Sequence, residues 1–563
     1  MPSFREQMKG FPLWQMTVIC IIRFSEPIAF TSLFPYVYFM IRDFHIVDDP
    51  AKISKYTGYM GASFAFAQFL CCIHWGRLSD RIGRKPVLLL GLLGTATSLL
   101  IFGFSTNFYM AITARTLMGA LNGNIAVLQT MVGEVVKERR HQSMAFSCLP
   151  LLWNVGCVVG PSIGGSRIFT RPKMSSGDVK SLGSYDRFVE KHPYAMSNVV
   201  VACLLLFSFV VGLLFLEETQ LKAKLKYDYG LAFGDRILIV LGFSPSAQSK
   251  KSEDIQETPS ETTPLTSDAI YDSIDESAFE EDDDDRSISS FDQPLTRRTS
   301  LAIIRRYSSS SLQRTTTNTS VFDETKSIFK AFRNKKIFSN KVRATILAYF
   351  CLSFHALVHS EFLPVFLAGK FQPESLQFPW HYKGGMSWET SRIGSLLSTT
   401  GFGGCFIIIV VFPILDRHMR NIDVLRIASV VFPVAYLLVP YTIFTRPEYE
   451  PKFPSWLSTA GVYTCASFQS AAAALSFPQM VILVYRATIP KHRAFVNSTA
   501  ISCTALARCV APLLWGALMS FFDSRGVGQV SWNILAVIAL FTSILAFKLD
   551  EYDEDLHRDD QMA

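Results

Sequence analysis

Trp75-Gly76-Arg77-Leu78-Ser79-Asp80-Arg81-Ile82-Gly83-Arg84-Lys85-Pro86 lies between two long apolar runs, and its reading decides the fold. A chain that turns back within a few residues needs close backbone approach and a site tolerant of φ > 0, and Gly76 and Gly83 provide both. Asp80 can sit against a positive helix N-terminus from the other half of the chain. Arg81, Arg84 and Lys85 can pair with acids at neighbouring helix ends, with Glu134 the candidate partner. Contacts of this kind hold one conformation and break in another, so Gly76, Asp80, Arg81, Gly83, Arg84 and Glu134 form a candidate latch. A mere topology signal would explain the basic residues but not the two glycines and the aspartate.

The flanking runs belong to a chain of 563 residues that is 49% hydrophobic and only 18% charged, against about a quarter charged in average globular chains. An apolar run of about 18 residues or more reads as a membrane span. Twelve such spans are expected, near 15–40, 56–77, 86–105, 108–136, 143–169, 195–216, 343–368, 390–414, 424–445, 457–485, 494–521 and 530–548. Arg5, Glu6 and Lys9 precede the first run with no small-residue cleavage site, so that span is expected to stay in the mature protein. The 11 cysteines sit almost all in apolar segments and form no Cys-x-x-Cys pair, which argues against a disulfide framework or a metal site. The net charge of +7 is spread in the manner of a membrane protein rather than of a nucleic-acid binder. Arg77, Arg81, Arg84, Lys85, Lys137, Arg139, Arg140, Arg417, Arg420, Arg486, Lys491 and Arg493 all fall in connections on one side. By the positive-inside rule both termini are then cytoplasmic.

Asp80-Arg81-x-x-Arg84 after the second span is matched by Asp416-Arg417-x-x-Arg420 after the eighth, and Gly160-Pro161 in the fifth by Ala511-Pro512 in the eleventh. Matches six helices apart imply a duplicated all-α membrane fold of two pseudo-symmetric six-helix halves, with a path between them. The expected domains are an N-terminal half (1–216), a linker (217–342), a C-terminal half (343–548) and a cytoplasmic tail (549–563). The acidic run Glu280 to Asp285 and the Ser/Thr clusters of the linker cannot bury enough apolar surface to fold alone. Leu225 to Phe243 and Ile328 to Lys341 read either as helices lying on the membrane surface or as ordinary linker. Ser300 and Ser308 follow paired arginines and are candidate kinase sites.

Gly156, Gly160 and Gly164 recur every four residues and give the fifth span one glycine face, with Pro161 and Gly165 beside it. Together with the segment Gly76 to Pro86, this resembles the major facilitator superfamily. Ser147, nine residues ahead of Gly156, completes a similarity to the zinc-induced facilitator-like branch of the drug:proton antiporters. The resemblance implies twelve transmembrane helices in the major facilitator fold, an antiporter-type glycine motif in the fifth span, and proton coupling through an arginine of the fourth, here Arg115. It also implies an endomembrane, the vacuole first, with the plasma membrane as the other site. The chain departs from that branch at two places. The Cys-Pro-Gly-Cys-like element is absent before Trp14, and the Pro-Glu-Thr-Leu/Ile-His-x-His element after the sixth span reads Leu216-Glu217-Glu218-Thr219-Gln220-Leu221, with no histidine.

Ionisable residues inside spans mark functional candidates. The candidates for proton coupling are Arg23 and Glu26 in the first span, Arg115 in the fourth, and His355, His359 and Glu361 in the seventh. Arg23 and Glu26, at i and i+3, could equally just neutralise each other. Arg115 could equally snorkel from its helix end. The two histidines share a face, but without neighbouring carboxylates or thiols that spacing reads as polar lining rather than as a metal site. Asn122, Gln129, Asn154, Gln469 and Arg508 are candidates for the substrate path. The sequence therefore reads as a transporter without enzymatic motif or cofactor. Its partners are the bilayer, a small-molecule substrate, protons and kinases acting on the linker. Its activity is proton-coupled antiport of a small organic solute or its metal chelate, with a facilitator, a proton symporter or a transporter-like sensor as alternatives.

Overall fold

A computed structural model describes residues 11–136, 139–172, 184–224, 226–240, 338–488 and 493–550. The described residues are nearly all helical, with three isolated β-bridges and no strand. Nine helices are long and apolar enough by themselves to cross a membrane: Leu13–Thr31, Arg84–Gly103, Ala195–Phe215, Asn340–Ala368, Thr390–Leu415, Asn421–Thr445, Ser455–Val484, Thr499–Ser524 and Gln529–Lys548. The second, fourth and fifth passes complete the twelve for physical reasons of their own. The second, Ile53–Ile82, carries Arg77, Asp80 and Arg81 at its end. The fourth is broken into Phe108–Leu121 and Asn124–Val135, each too short alone. The fifth, Arg139–Gly164, is apolar only over Leu151–Gly164.

The break in the fourth pass falls at Asn122-Gly123, where the helix gives way for two residues. The first pass is likewise interrupted after Thr31 and resumes as Val37–Asp43. Start signals are local: Asn107 Oδ1 accepts from Met110 N (2.8 Å) and Ser339 Oγ from Val342 N (3.3 Å), satisfying donors that a helix N-terminus leaves open.

The expected turn over Asp80 to Arg84 is much shorter than the sequence suggested. The second helix runs through Ile82, Gly83 alone breaks it at φ 110°, and the third helix starts at Arg84. Only Gly83 uses glycine's freedom here, because Gly76 is helical and buried. The matching turn of the other half behaves similarly, with helix Phe412–His418 followed by Asn421–Tyr441.

A separate compact unit, Asp228–Arg298, contains one described helix, Tyr229–Val240, with Phe233, Ile239 and Val240 exposed. This falls within the expected surface helix Leu225 to Phe243. The rest of the linker to residue 337, with Ser300 and Ser308, and the tail from 551 lie outside the described residues.

Candidate functional site

The two halves meet mainly through the second pass against the eleventh and the fifth against the eighth. Both contacts are backbone on backbone. A Cβ on Gly58 would lie 2.2 Å from Pro512 O, and one on Gly394 would lie 2.6 Å from Pro161 O. The two prolines matched in the sequence thus each present a carbonyl to a glycine of the opposite half. The order of passes puts Gly58, Gly394, Pro161 and Pro512 toward the end of the bundle that carries loops 44–52 and 369–389, here called the loop end. Around them Ser398 Oγ donates to Val158 O (2.8 Å), Arg167 pairs with Glu389 (2.6 Å), and Lys383 approaches Asp49 (3.9 Å). These contacts close the path at the loop end.

The glycine face of the fifth pass looks elsewhere. Cβ atoms on Gly156, Gly160 and Gly164 would meet Pro27, Thr31 and Ser32 of the first pass at 2.5, 2.0 and 1.8 Å. Gly165, one residue on, would meet Gly394 Cα at 2.6 Å. One helix therefore binds its neighbour within the half on one side and the opposite half on the next. The side chain of Ser147 lies outside the described residues.

Below that seal sit the charged candidates. Arg115 is 2% exposed, so it does not snorkel. Its guanidinium lies 4.8 Å from the Phe64 ring and 5.8 Å from that of Phe30, and Nη1 is 3.5 Å from Met118 Sδ. Its charge interacts with that of Glu361 from the seventh pass of the opposite half. Gly61 makes room for this carboxylate, since a Cβ there would be 2.7 Å from Glu361 Oε2. Arg23 and Glu26 do pair, both buried, and the Arg23 guanidinium also lies 5.5 Å from the Trp153 ring. Arg508 of the eleventh pass interacts electrostatically with Glu26 and Cys72 of the opposite half and with Tyr349 of its own, so it lies at the boundary between the halves. Glu361 thus interacts with an arginine of the other half, and Glu26 with one of each half.

The other path candidates separate. A Cβ on Gly404 would be 3.3 Å from Ser470 Oγ and 3.9 Å from Asn154 Oδ1, so Asn154 lies at the boundary between halves. Asn122 is buried inside the N-terminal half, where its carbonyl accepts from Gln68 Nε2 (3.3 Å), and Gln129 is exposed. Gln469 is buried against Tyr436. His355 and His359 are also inside the C-terminal half rather than on the boundary. His355 Nδ1 is 3.0 Å from the Tyr436 hydroxyl and His359 stacks on the Tyr436 ring at 5.1 Å. No cluster of three metal-ligating side chains occurs among the described residues.

At the opposite, motif end, Arg84 Nη1 reaches Asp80 Oδ1 (2.5 Å) and Nη2 reaches Glu134 Oε1 (3.2 Å). Arg81 is exposed, so Arg84 is the residue that joins the two acids. The sequence reading missed Glu218. Its Oε1 accepts from Arg84 N (2.9 Å) and its Oε2 from Lys85 N (3.0 Å), capping the third helix. Gln220 Nε2 donates to Asp80 O, and Thr219 Oγ1 donates to Glu134. The segment read as a departure from the branch pattern is a clamp across the turn. An acid immediately after the sixth span was the available signal.

The sequence profile of the Major Facilitator Superfamily matches residues 19–382, and the chain belongs to that family of membrane transporters. It is 32% identical to the "Major facilitator superfamily multidrug transporter mfsB" of Aspergillus fumigatus over 99% of this chain and 86% of that one. Similarity to "Protein ZINC INDUCED FACILITATOR 1" of Arabidopsis thaliana is 24% over 92% and 87% of the two chains. Among solved structures, the nucleoside transporter NupG (D323A mutant) shares the fold at a TM-score of 0.57 and 10% identity, over 95% of this chain and 100% of that one.

Proposed function

We propose that this transporter exchanges a small organic solute, or its metal chelate, for protons. The observation that carries the reading is the crossing of charges between halves: Glu26 toward Arg508, and Glu361 toward Arg115. A carboxylate in an apolar surround is costly when ionised unless a cation faces it. Rocking of the halves separates Glu361 from Arg115, and protonation then becomes the cheaper way for it to remain buried; Glu26 loses Arg508 but keeps Arg23 beside it, so its proton is bound by the competition between the two arginines. Return of the arginine releases the proton. Substrate competes for the same charges in the opening beside Arg508 and Asn154.

In this reading the motif end is cytoplasmic, as the Lys and Arg of its connections favour, and the described state faces inward. The pair Asp80–Arg84 with Glu134 acts as a latch on that side. The membrane is that of an internal organelle, the vacuole first. Kinases act on the linker.

The test is substrate flux in proteoliposomes against an imposed pH gradient, at matched protein amounts. Glu26→Gln is expected to retain substrate binding and lose pH-driven accumulation. If Glu26 serves only to neutralise Arg23, the same change lowers expression and the double variant Arg23→Gln, Glu26→Gln restores it. Accumulation by Glu26→Gln equal to that of wild type would remove Glu26 from the mechanism.

A further inference from the structure

Polar side chains buried in the C-terminal half form a line that neither the inter-half boundary nor the motif end uses. At the loop end, Asp523 Oδ1 accepts from Gly384 N (2.7 Å), and Lys383 beside it reaches Asp49 (3.9 Å). Next to Gly384 comes Tyr382, 1% exposed, whose carbonyl accepts from Gly528 N (3.2 Å) and whose hydroxyl is directed at Trp532. Trp532 lies 6.1 Å, ring to ring, from His359, which stacks on Tyr436. Tyr436 meets His355, and Gln469 faces the same hydroxyl. The line runs from the loop end to mid-membrane through one loop and five helices.

Its members are polar at the wrong places for a dry core. Tyr382 Oη and Trp532 Nε1 have no close hydrogen-bond partner beyond facing one another, and His359 Nε2, His355 Nε2 and both amide atoms of Gln529 are buried without one. Gln529 and His355 are 0% exposed, Trp532 1% and His359 2%. Leaving one such group unsatisfied costs about 1–3 kcal/mol, and buried polar groups in native proteins are satisfied almost without exception, by protein or by ordered water. Five side chains with unmet polar atoms along one line are a site for a small ligand that both donates and accepts. Water fits such groups, because each molecule needs two to four polar partners and the indole donates while the imidazole nitrogens and the Gln529 amide oxygen, one helical turn before Trp532, can accept. Dry aromatic packing would have used Phe at Tyr382 and Tyr436, as Phe366 and Phe432 do beside them.

We propose that this seam holds a file of ordered water and conducts protons between the loop end and the Tyr436–Gln469 pair, inside the C-terminal half and separate from the substrate opening. The conducting part rests on the proton-antiport reading above. The titratable and charged groups facing the seam are Asp523, Lys383, Asp49, Tyr382, Tyr436, His355 and His359. Glu361, two residues beyond His359, turns away from it toward Gly61.

X-ray radiolytic labelling of the full-length protein in nanodiscs, in 18O water, tests the hydration. Trp532 and Tyr436 are expected to take up label quickly despite their burial. Tyr36 is equally buried and hydrogen-bonded to Asn198 (Nδ2 to Oη, 2.9 Å), as Tyr436 is to His355, but it lies in the N-terminal half away from the seam and is expected to stay unlabelled. His359→Phe is expected to remove label from Trp532 and to lose pH-driven flux, and His359→Gln, which keeps a polar atom there, to retain the label. Labelling of Trp532 and Tyr436 no faster than Tyr36 overturns the seam. Normal labelling with wild-type pH-driven flux in His359→Phe overturns its conduction. Absence of pH-driven flux in wild type overturns antiport and conduction together, while the label still decides the water.

Discussion

Glu361 and Arg115 come from different halves, and neither has a close ion-pair partner in its own helix. They are not in direct contact, but each is buried, and removing one charge leaves the other with less compensation for its lost hydration. Glu361→Gln is therefore expected to lower the unfolding temperature in detergent, and Arg115→Gln with Glu361→Gln to recover it without recovering pH-driven transport. Scanning fluorimetry reads the first effect, and a single variant melting with wild type would show that the two charges do not communicate. Both residues were visible in the sequence as ionisable groups in apolar runs. Their juxtaposition was not, because it depends on how two halves far apart in the chain come together. The opposite happened with His355 and His359: their shared face was legible from i, i+4 spacing, but whether that face meets the path or the seventh pass's own neighbours is set by helix rotation. Tyr436 and Trp532 give the answer.

At the level of elements, the third helix begins on a borrowed cap. Glu218 accepts both Arg84 N and Lys85 N, and a Cβ at Gly83 would come within 2.4 Å of its Oε2. Loss of a capping side chain costs about 0.5–2 kcal/mol. Glu218→Ala is expected to destabilise by that amount and to slow transport, with Gly83→Ala more severe because it adds strain at φ 110°. Equal melting of Glu218→Ala and wild type would make the clamp an idle contact. Across the halves, Gly58→Leu is expected to leave the protein folded and in the membrane but unable to close its loop end, because Pro512 O occupies the space. Persistent reactivity of a cysteine placed at Ser398 toward a charged thiol reagent added from that side would report the open state; protection equal to that in the Gly58 parent would refute it. The twelve passes, the pairing of prolines and the glycine face were legible as periodicity and repeats. The kinks at Thr31 and Asn122, and the shortness of the turn at Gly83, were not, since each reflects what packs against it rather than local propensity.

For the molecule as a whole, transport requires the loop end to open and close as one event. Arg167 and Glu389 face each other from opposite halves, exposed at the rim. Cysteines at both positions are expected to form a disulfide under mild oxidation that stops transport, with recovery on reduction. Continued flux in the fully cross-linked protein would mean that the halves do not separate there. Deletion of Glu253 to Thr319 is expected to spare transport and alter regulation or sorting, on the grounds of that segment's composition. A deletion variant that reaches the membrane but moves no substrate would give the linker a role in the transport cycle.

The meeting of proline carbonyls with glycines has a consequence for how such a protein changes over generations. A barrier formed by main chain against main chain asks for a shape, not for particular side chains. The residues that meet cargo lie deeper, on surfaces the barrier does not share. On the proposed path, substitution around Asn154 and Arg508 would leave this main-chain contact untouched. A lineage can acquire new cargo without having to reinvent the door.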